Sequence, residues 1–168
     1  MASLLAAVAL AGCGSAPTAA AAAPSVGARA GDIAPPLTGT SLQGQRLSLD
    51  AWRGSVVVLV FWASWCVPCQ AEQPAVNALA QQELGAGVHF AGISVDSSSA
   101  AARQYMAHYA VPYDSLIDSA DTIVVSYEVV GPPTTFVIDR EGRVSALIEG
   151  QLNPGDLRAK IAVARSAA

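Results

Sequence analysis

Apolar residues fall into continuous runs and helically spaced segments that together predict an α/β domain. Leu37 to Leu49 holds two short apolar patches around a Gln-Gly-Gln turn, which is typical of a hairpin. Val56 to Trp62 is an unbroken apolar run rich in β-branched residues, as expected of a strand buried on both faces. Val67 to Leu84 has apolar residues at helical spacing and precedes Gly-Ala-Gly, so it predicts a helix. Val88 to Val95 predicts a second buried strand.

The second half of the chain predicts helices first and strands afterwards. Helical segments are expected from Ser99 to Tyr109 and from Thr122 to Tyr127. Thr134 to Ile138 and Val144 to Ile148 predict two strands joined by a hairpin turn, and a last helix is predicted from Pro154 to Ala164. The predicted order is βαβ, an α insertion, then ββα. This order describes a mixed β-sheet flanked by helices, with an insertion after the second core strand.

The first 30 residues differ in composition from the rest. Ala2 to Ala11 is small and apolar, shorter than the roughly 20 residues of a membrane span but typical of a signal-peptide core. Leu10-Ala11-Gly12-Cys13 resembles a bacterial lipobox, in which Cys13 becomes lipidated. Small and polar residues follow up to Ala30 and predict a flexible spacer. The predicted regions are a signal peptide at 1–12, a lipidated cysteine with its spacer at 13–30, and one domain at 31–168.

Charge and composition narrow the range of partners. The chain has 168 residues, of which 52% are hydrophobic, and a net charge of −4. This composition suits one globular domain. Lys160 is its single lysine and no basic stripe is present, so we predict no nucleic-acid partner.

The candidate chemistry lies in Cys66-Val67-Pro68-Cys69, between the strand that ends at Trp62 and the helix after it. This spacing puts the two sulfurs one turn apart, close enough for a disulfide. A helix N-terminus favours the thiolate of Cys66 and can lower a thiol pKa from about 8.5 to between roughly 3.5 and 7.5. We expect Cys66 to attack and Cys69 to resolve the mixed disulfide. Pro68 suits the first helical turn, where a missing N–H costs little.

Three other interpretations of the cysteine pair are weaker. A zinc site needs two further ligands, and His89 and His108 show no ligand spacing. A c-type haem site needs histidine after the second cysteine, where Gln70 stands. A purely structural disulfide over two residues closes too small a loop to stabilise much. We therefore predict no metal and no cofactor other than a redox-active Cys66–Cys69 disulfide.

Three motifs carry a family resemblance. They are Gly-Asp-Ile-Ala-Pro from Gly31, Phe-Trp-Ala-Ser-Trp-Cys-Val-Pro-Cys from Phe61, and Gly-Pro-Pro-Thr-Thr-Phe-Val-Ile-Asp from Gly131. With them the chain resembles the TlpA/ResA-like branch of the thioredoxin-fold disulfide oxidoreductases, related to the redoxins of the AhpC/TSA type. The resemblance implies a thioredoxin-like fold in which Asp96 to Val130 forms the insertion.

The resemblance also implies roles for residues around the cysteines. Pro133, just before Thr134, occupies the position of a cis-proline that faces the pair and shapes the substrate groove. Pro132 departs from the family, because the residue before the cis-proline usually offers a backbone N–H to substrate. Trp62 and Trp65 are expected to shield the site and pack beside it, with Val67, Pro68, Pro132 and Thr134 as further active-site support.

Glu72 lies three residues after Cys69 and therefore on the same helix face. ResA-like proteins carry a glutamate at this spacing. A partly buried carboxyl here could move protons for Cys69 and raise its own pKa. The alternative is a solvated glutamate near the helix N-terminus.

The resemblance implies disulfide exchange with exported proteins. Reductases of this branch maintain the thiols of apocytochrome c or of copper-delivery proteins and are recharged by a membrane thiol–disulfide carrier, while other relatives are oxidases that install disulfides. A thiol peroxidase is disfavoured, since Ala63 stands where peroxiredoxins have Thr or Ser. We expect a monomeric, extracytoplasmic lipoprotein of the bacterial cell envelope, anchored to the membrane by lipid.

Overall fold

The computed structural model describes residues 25–167, which form two β-sheets and four α-helices. Cys13, with the predicted signal peptide and most of the spacer, lies outside these residues. The described elements are β1 Thr38–Thr40, β2 Arg46–Ser48, β3 Val56–Trp62, α1 Val67–Glu83, β4 Val88–Ser94, α2 Ser99–His108, β5 Ser115–Ile117, α3 Thr122–Ser126, β6 Thr134–Ile138, β7 Val144–Glu149 and α4 Pro154–Ser166. Most bounds agree with the predicted ones to within one or two residues.

The main sheet is mixed, with strand order β5-β4-β3-β6-β7. β4 runs parallel to β3 and β5 runs parallel to β4, whereas β6 and β7 are antiparallel to their neighbours. β1 and β2 form a separate antiparallel hairpin, as predicted. The thioredoxin-like α/β fold expected from the sequence is confirmed.

Strand β3 is buried on both faces, because its alternating residues belong to two different hydrophobic clusters. Val58 and Trp62 pack with apolar residues of α1, α2 and α4. Leu59 and Phe61 pack on the opposite face with Tyr127 and other residues outside those helices. The unbroken apolar run in the sequence thus reflects a strand with a core on each side.

Two features differ from the sequence-based expectations. β5 was not predicted, because a three-residue strand has no periodicity of its own and forms here through pairing with β4. The packed region also begins before the predicted boundary at Gly31. Ile33 N–H donates to the carbonyl of Ser25 at 2.8 Å, and Ala28 is buried, so the last residues of the predicted spacer pack against the domain.

Gly92, in the middle of β4, allows two polar side chains to approach the strand. A Cβ added at Gly92 would lie 2.2 Å from Ser115 Oγ and 2.6 Å from Trp62 Nε1. Both atoms are buried and have no hydrogen-bond partner among residues 25–167. Trp62 is the last residue of β3 and Ser115 the first of β5, so a methyl group at Gly92 presses on buried side chains of both neighbouring strands.

We expect Gly92→Ala to lower the free energy of unfolding by about 1–3 kcal/mol, the usual cost of overpacking a core. Denaturant unfolding measures the change. Gly131→Ala is the matched control, since a Cβ there meets nothing within 4 Å. Equal stability of Gly92→Ala and the parent would contradict this packing.

Candidate active site

The two cysteines lie where β3 passes into α1. Cys66 is the N-cap residue of α1 and Cys69 lies in its first turn. A disulfide joins them, with the sulfurs 2.02 Å and the Cα atoms 5.2 Å apart. The side chains are nearly enclosed, at 3% exposure for Cys66 and 1% for Cys69. The Cys69 N–H points at Cys66 Sγ over 3.2 Å, so an orphan donor of the helix N-terminus faces the first sulfur.

The loop before Cys66 is held from the end of β4. Asp96 accepts from the Ser64 N–H at 3.0 Å and from the Ser64 hydroxyl at 2.7 Å. The Ser94 hydroxyl donates to the same carboxylate at 2.9 Å. On the far side of the pair, Gln70 Nε2 donates to the Ser64 carbonyl at 2.8 Å. These bonds fix both ends of the segment that contains the two cysteines.

Glu72 is buried on α1, one turn beyond Cys69, with only 5% exposure. Its Oε2 accepts from the Leu152 N–H at 2.8 Å. Burial raises the pKa of Glu72 from 4.5 to about 7, although the hydrogen bond from Leu152 acts in the opposite direction. A carboxyl with this pKa exchanges protons near neutral pH.

Tyr105 of α2 joins the insertion to the active site, and no sequence motif indicated it. Its hydroxyl lies 3.1 Å from both the Cys69 carbonyl and Gln73 Oε1, and these two acceptors share its single proton. Its ring stacks on Trp62 with the centroids 4.5 Å apart. Gln73 in turn donates to the Tyr113 hydroxyl at 2.9 Å. Burial raises the pKa of both tyrosines well above the ordinary range, so both remain neutral hydrogen-bonding groups.

Pro133 reaches the same end of the sheet through strand pairing. Thr134, the first residue of β6, pairs with Phe61 near the end of β3. The Pro132–Pro133 peptide bond is cis, and Pro133 is buried. The Thr134 hydroxyl donates to the Gly131 carbonyl at 2.7 Å and closes the turn.

The predicted supporting residues divide into buried and exposed sets. Trp62 is buried under the helix, whereas Trp65 is 64% exposed, and its role as a shield of the site stays a prediction. Trp62 is the last residue of β3 and enters the core, whereas Trp65 lies in the loop beyond the sheet. Val67 is also largely exposed, at 71%, and Pro68 is exposed. Apolar side chains therefore flank Cys66 at the surface.

Known proteins resemble this chain in sequence and in fold. A profile of the AhpC/TSA family matches residues 30–147. Thiol-disulfide oxidoreductase ResA of Bacillus thuringiensis subsp. konkukian is 32% identical over 121 residues, which cover 72% of this chain and 70% of that protein. ResA of Geobacillus kaustophilus is 32% identical over 127 residues, covering 76% and 73%. The chain belongs to the AhpC/TSA family. It is a ResA-like thiol–disulfide oxidoreductase with Cys66 and Cys69 as its cysteine pair.

Solved structures agree with this assignment. A putative thiol:disulfide interchange protein DsbE from Chlorobium tepidum superimposes with a TM-score of 0.74 at 31% identity, covering 81% of this chain and 97% of that one. A secreted Mycobacterium tuberculosis disulfide oxidoreductase homologous to E. coli DsbE shares the fold, with a TM-score of 0.68 at 24% identity and coverage of 76% and 95%. None of the helices within residues 25–167 has the length and apolarity to cross a membrane.

The raised pKa of Glu72 predicts a stability difference that depends on pH. The pKa of Glu72 in the folded protein exceeds its ordinary value of 4.5, so the neutral carboxyl stabilises the folded state. This contribution to the free energy of unfolding is complete below pH 4.5 and is lost as the pH rises through about 7. Between about pH 4.5 and about pH 8 we expect the oxidised parent to lose about 3 kcal/mol of unfolding free energy relative to Glu72→Gln.

Denaturant unfolding of both oxidised proteins over this pH range measures the difference. Glu149→Gln is the control, since Glu149 is exposed on β7 and should leave the pH dependence of the parent unchanged. If Glu72→Gln keeps the full pH dependence of the parent, another group is responsible.

Proposed function

We propose that this protein reduces disulfides of exported proteins, with Cys66 as the attacking group and Cys69 as the resolving group. The observation that carries the proposal is the burial of both sulfurs, with the buried carboxyl of Glu72 one helical turn beyond Cys69. A pair that must release a proton from a buried thiol needs an acceptor within the protein, and the pKa of Glu72 at about 7 suits that acceptor.

The reaction proceeds in two exchanges. The Cys66 thiolate attacks one sulfur of the substrate disulfide, forms a mixed disulfide and expels the first substrate thiolate, which takes a proton from solvent. Cys69 then transfers its proton to Glu72 and attacks Cys66 Sγ, which expels the second substrate thiolate, and that thiolate takes up the proton held by Glu72. The substrate gains two electrons and two protons, and the Cys66–Cys69 disulfide forms.

The surroundings of the pair support the reducing direction. Burial of both sulfurs disfavours a thiolate, and an ionised Glu72 nearby disfavours it further. A poorly stabilised thiolate makes the reduced pair the better electron donor. The N-terminus of α1 acts in the opposite sense, because its free N–H groups favour the anion on Cys66. A disulfide-forming oxidase is therefore the alternative function. It requires the helix N-terminus to stabilise the Cys66 thiolate by more than burial destabilises it.

The cellular setting is part of the proposal. One fold relative is described as secreted, and an extracytoplasmic domain needs an electron supply from the membrane. We infer that lipid on Cys13 tethers a monomer to the bacterial envelope and that a membrane thiol–disulfide carrier returns the pair to its reduced state. Apocytochrome c with oxidised haem-binding cysteines is the substrate class that the family resemblance favours.

Equilibrium redox titration of the full-length protein tests the direction of electron flow, with tryptophan fluorescence as the signal. We expect one two-electron transition at a strongly reducing potential, comparable with the value of about −270 mV known for thioredoxin. Cys66→Ser should abolish the transition. A midpoint near about −120 mV, as in strong oxidants, would favour the oxidase instead. A transition that persists in Cys66→Ser would show that the Cys66–Cys69 pair is not the redox-active group.

Fatty-acid labelling in a bacterial host tests the anchor. We expect the parent to incorporate labelled acyl chains and to fractionate with membranes, because more than one acyl chain on Cys13 gives stable anchoring. Cys13→Ser should lose the label and leave the membrane fraction. Cys69→Ser is the matched control and should keep both properties. Labelling of Cys13→Ser would refute the anchor.

A further inference from the structure

The loop before β6 offers few backbone groups to a substrate strand. Pro132 and Pro133 have no N–H to donate. The Gly131 carbonyl already accepts from the Thr134 hydroxyl, and the Pro133 carbonyl accepts from the Gly150 N–H at 2.9 Å. Of the carbonyls of Gly131, Pro132 and Pro133, only that of Pro132 has no hydrogen-bond partner within residues 25–167. A polypeptide docked at this loop therefore gains little backbone pairing and needs contacts elsewhere.

A second surface lies on the opposite side of the cysteine pair. In the sheet, β6 and β4 flank β3 on opposite sides, so the Pro133 loop and the segment after β4 lie on opposite sides of the end of β3. The segment after β4 leads into α2. A cleft of about 400 Å³ opens there between α2 and the Ser64–Gln70 segment, and we call it the α2 cleft.

One wall of the α2 cleft adjoins the reacting cysteines. Ser64 and Gln70 line this wall, and their hydrogen bond of 2.8 Å closes the segment that contains Cys66 and Cys69. A substrate cysteine bonded to Cys66 would place its flanking chain within reach of this wall. Val67, beside Cys66, is exposed and extends the apolar surface at the edge of the disulfide.

The other wall comes from one face of α2. Ala101, Gln104 and His108 follow each other at the spacing of a single helix face, and all three line the cleft with Tyr109. The lining offers amide groups, an imidazole and aromatic surface, and it includes no Asp, Glu, Lys or Arg. This chemistry fits neutral polypeptide better than a strongly charged one.

We propose that the α2 cleft binds an extended, uncharged segment of the substrate polypeptide next to the cysteine that Cys66 attacks. The proposal rests on the proposed disulfide exchange at Cys66. The cleft then provides docking contacts in place of the backbone N–H groups that Pro132 and Pro133 lack. Recognition of the polypeptide and chemistry at the sulfur are carried by different residues, so they can be separated by experiment.

Ala101→Phe tests the proposal, since it fills the cleft from α2 without changing any residue of the exchange machinery. The reduced full-length protein is mixed with two disulfides: a short uncharged peptide dimerised through its single cysteine, and 2-hydroxyethyl disulfide. Acid quenching and mass spectrometry give the rate of each exchange. We expect the peptide rate to fall about tenfold, the effect of losing one good binding contact, and the rate with 2-hydroxyethyl disulfide to stay unchanged.

Ala100→Phe is the matched control, because Ala100 is the neighbouring residue of α2 but is exposed and does not line the cleft. It should leave both rates unchanged. Gln104→Trp narrows the cleft one turn further along and should reproduce the selective loss. Thermal unfolding of the variants verifies that each is folded.

Selective loss of the peptide rate in both cleft variants supports the proposal. Equal loss with both disulfides, loss in neither, or the same loss in Ala100→Phe overturns it.

Failure of the reductase proposal appears separately, as an oxidising potential in the redox titration. The oxidised variants are then mixed with the reduced peptide and with 2-mercaptoethanol, and the same selective loss is expected. A parent that exchanges with no probe overturns both proposals.

Discussion

The burial of β3 on both faces determines where the chemistry of this protein takes place. Residues from Val56 to Trp62 are enclosed by two hydrophobic clusters, so the strand has one register and its end has a fixed position. The chain leaves the sheet after Trp62 and enters α1 within four residues. Cys66 therefore lies at the helix N-terminus, where the Cys69 N–H meets the first sulfur. The reactive pair depends on this junction between strand and helix.

Hydrogen bonds to buried polar groups hold the junction in place. Asp96 restrains Ser64 from β4, and Tyr105 restrains the Cys69 carbonyl from α2. Each bond links the cysteine segment to a part of the chain more than thirty residues away. Loss of one partner would leave a buried donor or acceptor unsatisfied, which typically costs about 1–3 kcal/mol. The insertion thus supports the active site and also forms the outer wall of the α2 cleft.

Glu72 and Cys69 lie one turn apart on α1, and both are buried. Burial opposes charge on the carboxyl and on both sulfurs, and each anion disfavours the others. The N-terminus of α1 favours the thiolate of Cys66. A proton passed between Cys69 and Glu72 keeps the enclosed negative charge at one, which is the physical basis of the proposed resolving step.

Sequence alone was sufficient for the α/β class, most element bounds and the Cys66–Cys69 pair, because these depend on local patterns such as apolar runs and helix caps. It left open whether Glu72 is buried or solvated, which only the packing around α1 decides. It missed β5, whose three residues become a strand only by pairing with β4. It could not decide how exposed each tryptophan is, because Trp62 and Trp65 are three residues apart and look alike until the sheet encloses one of them. The link from Tyr105 to Cys69 and the α2 cleft needed the tertiary structure, since both join segments that are distant in sequence and carry no shared motif.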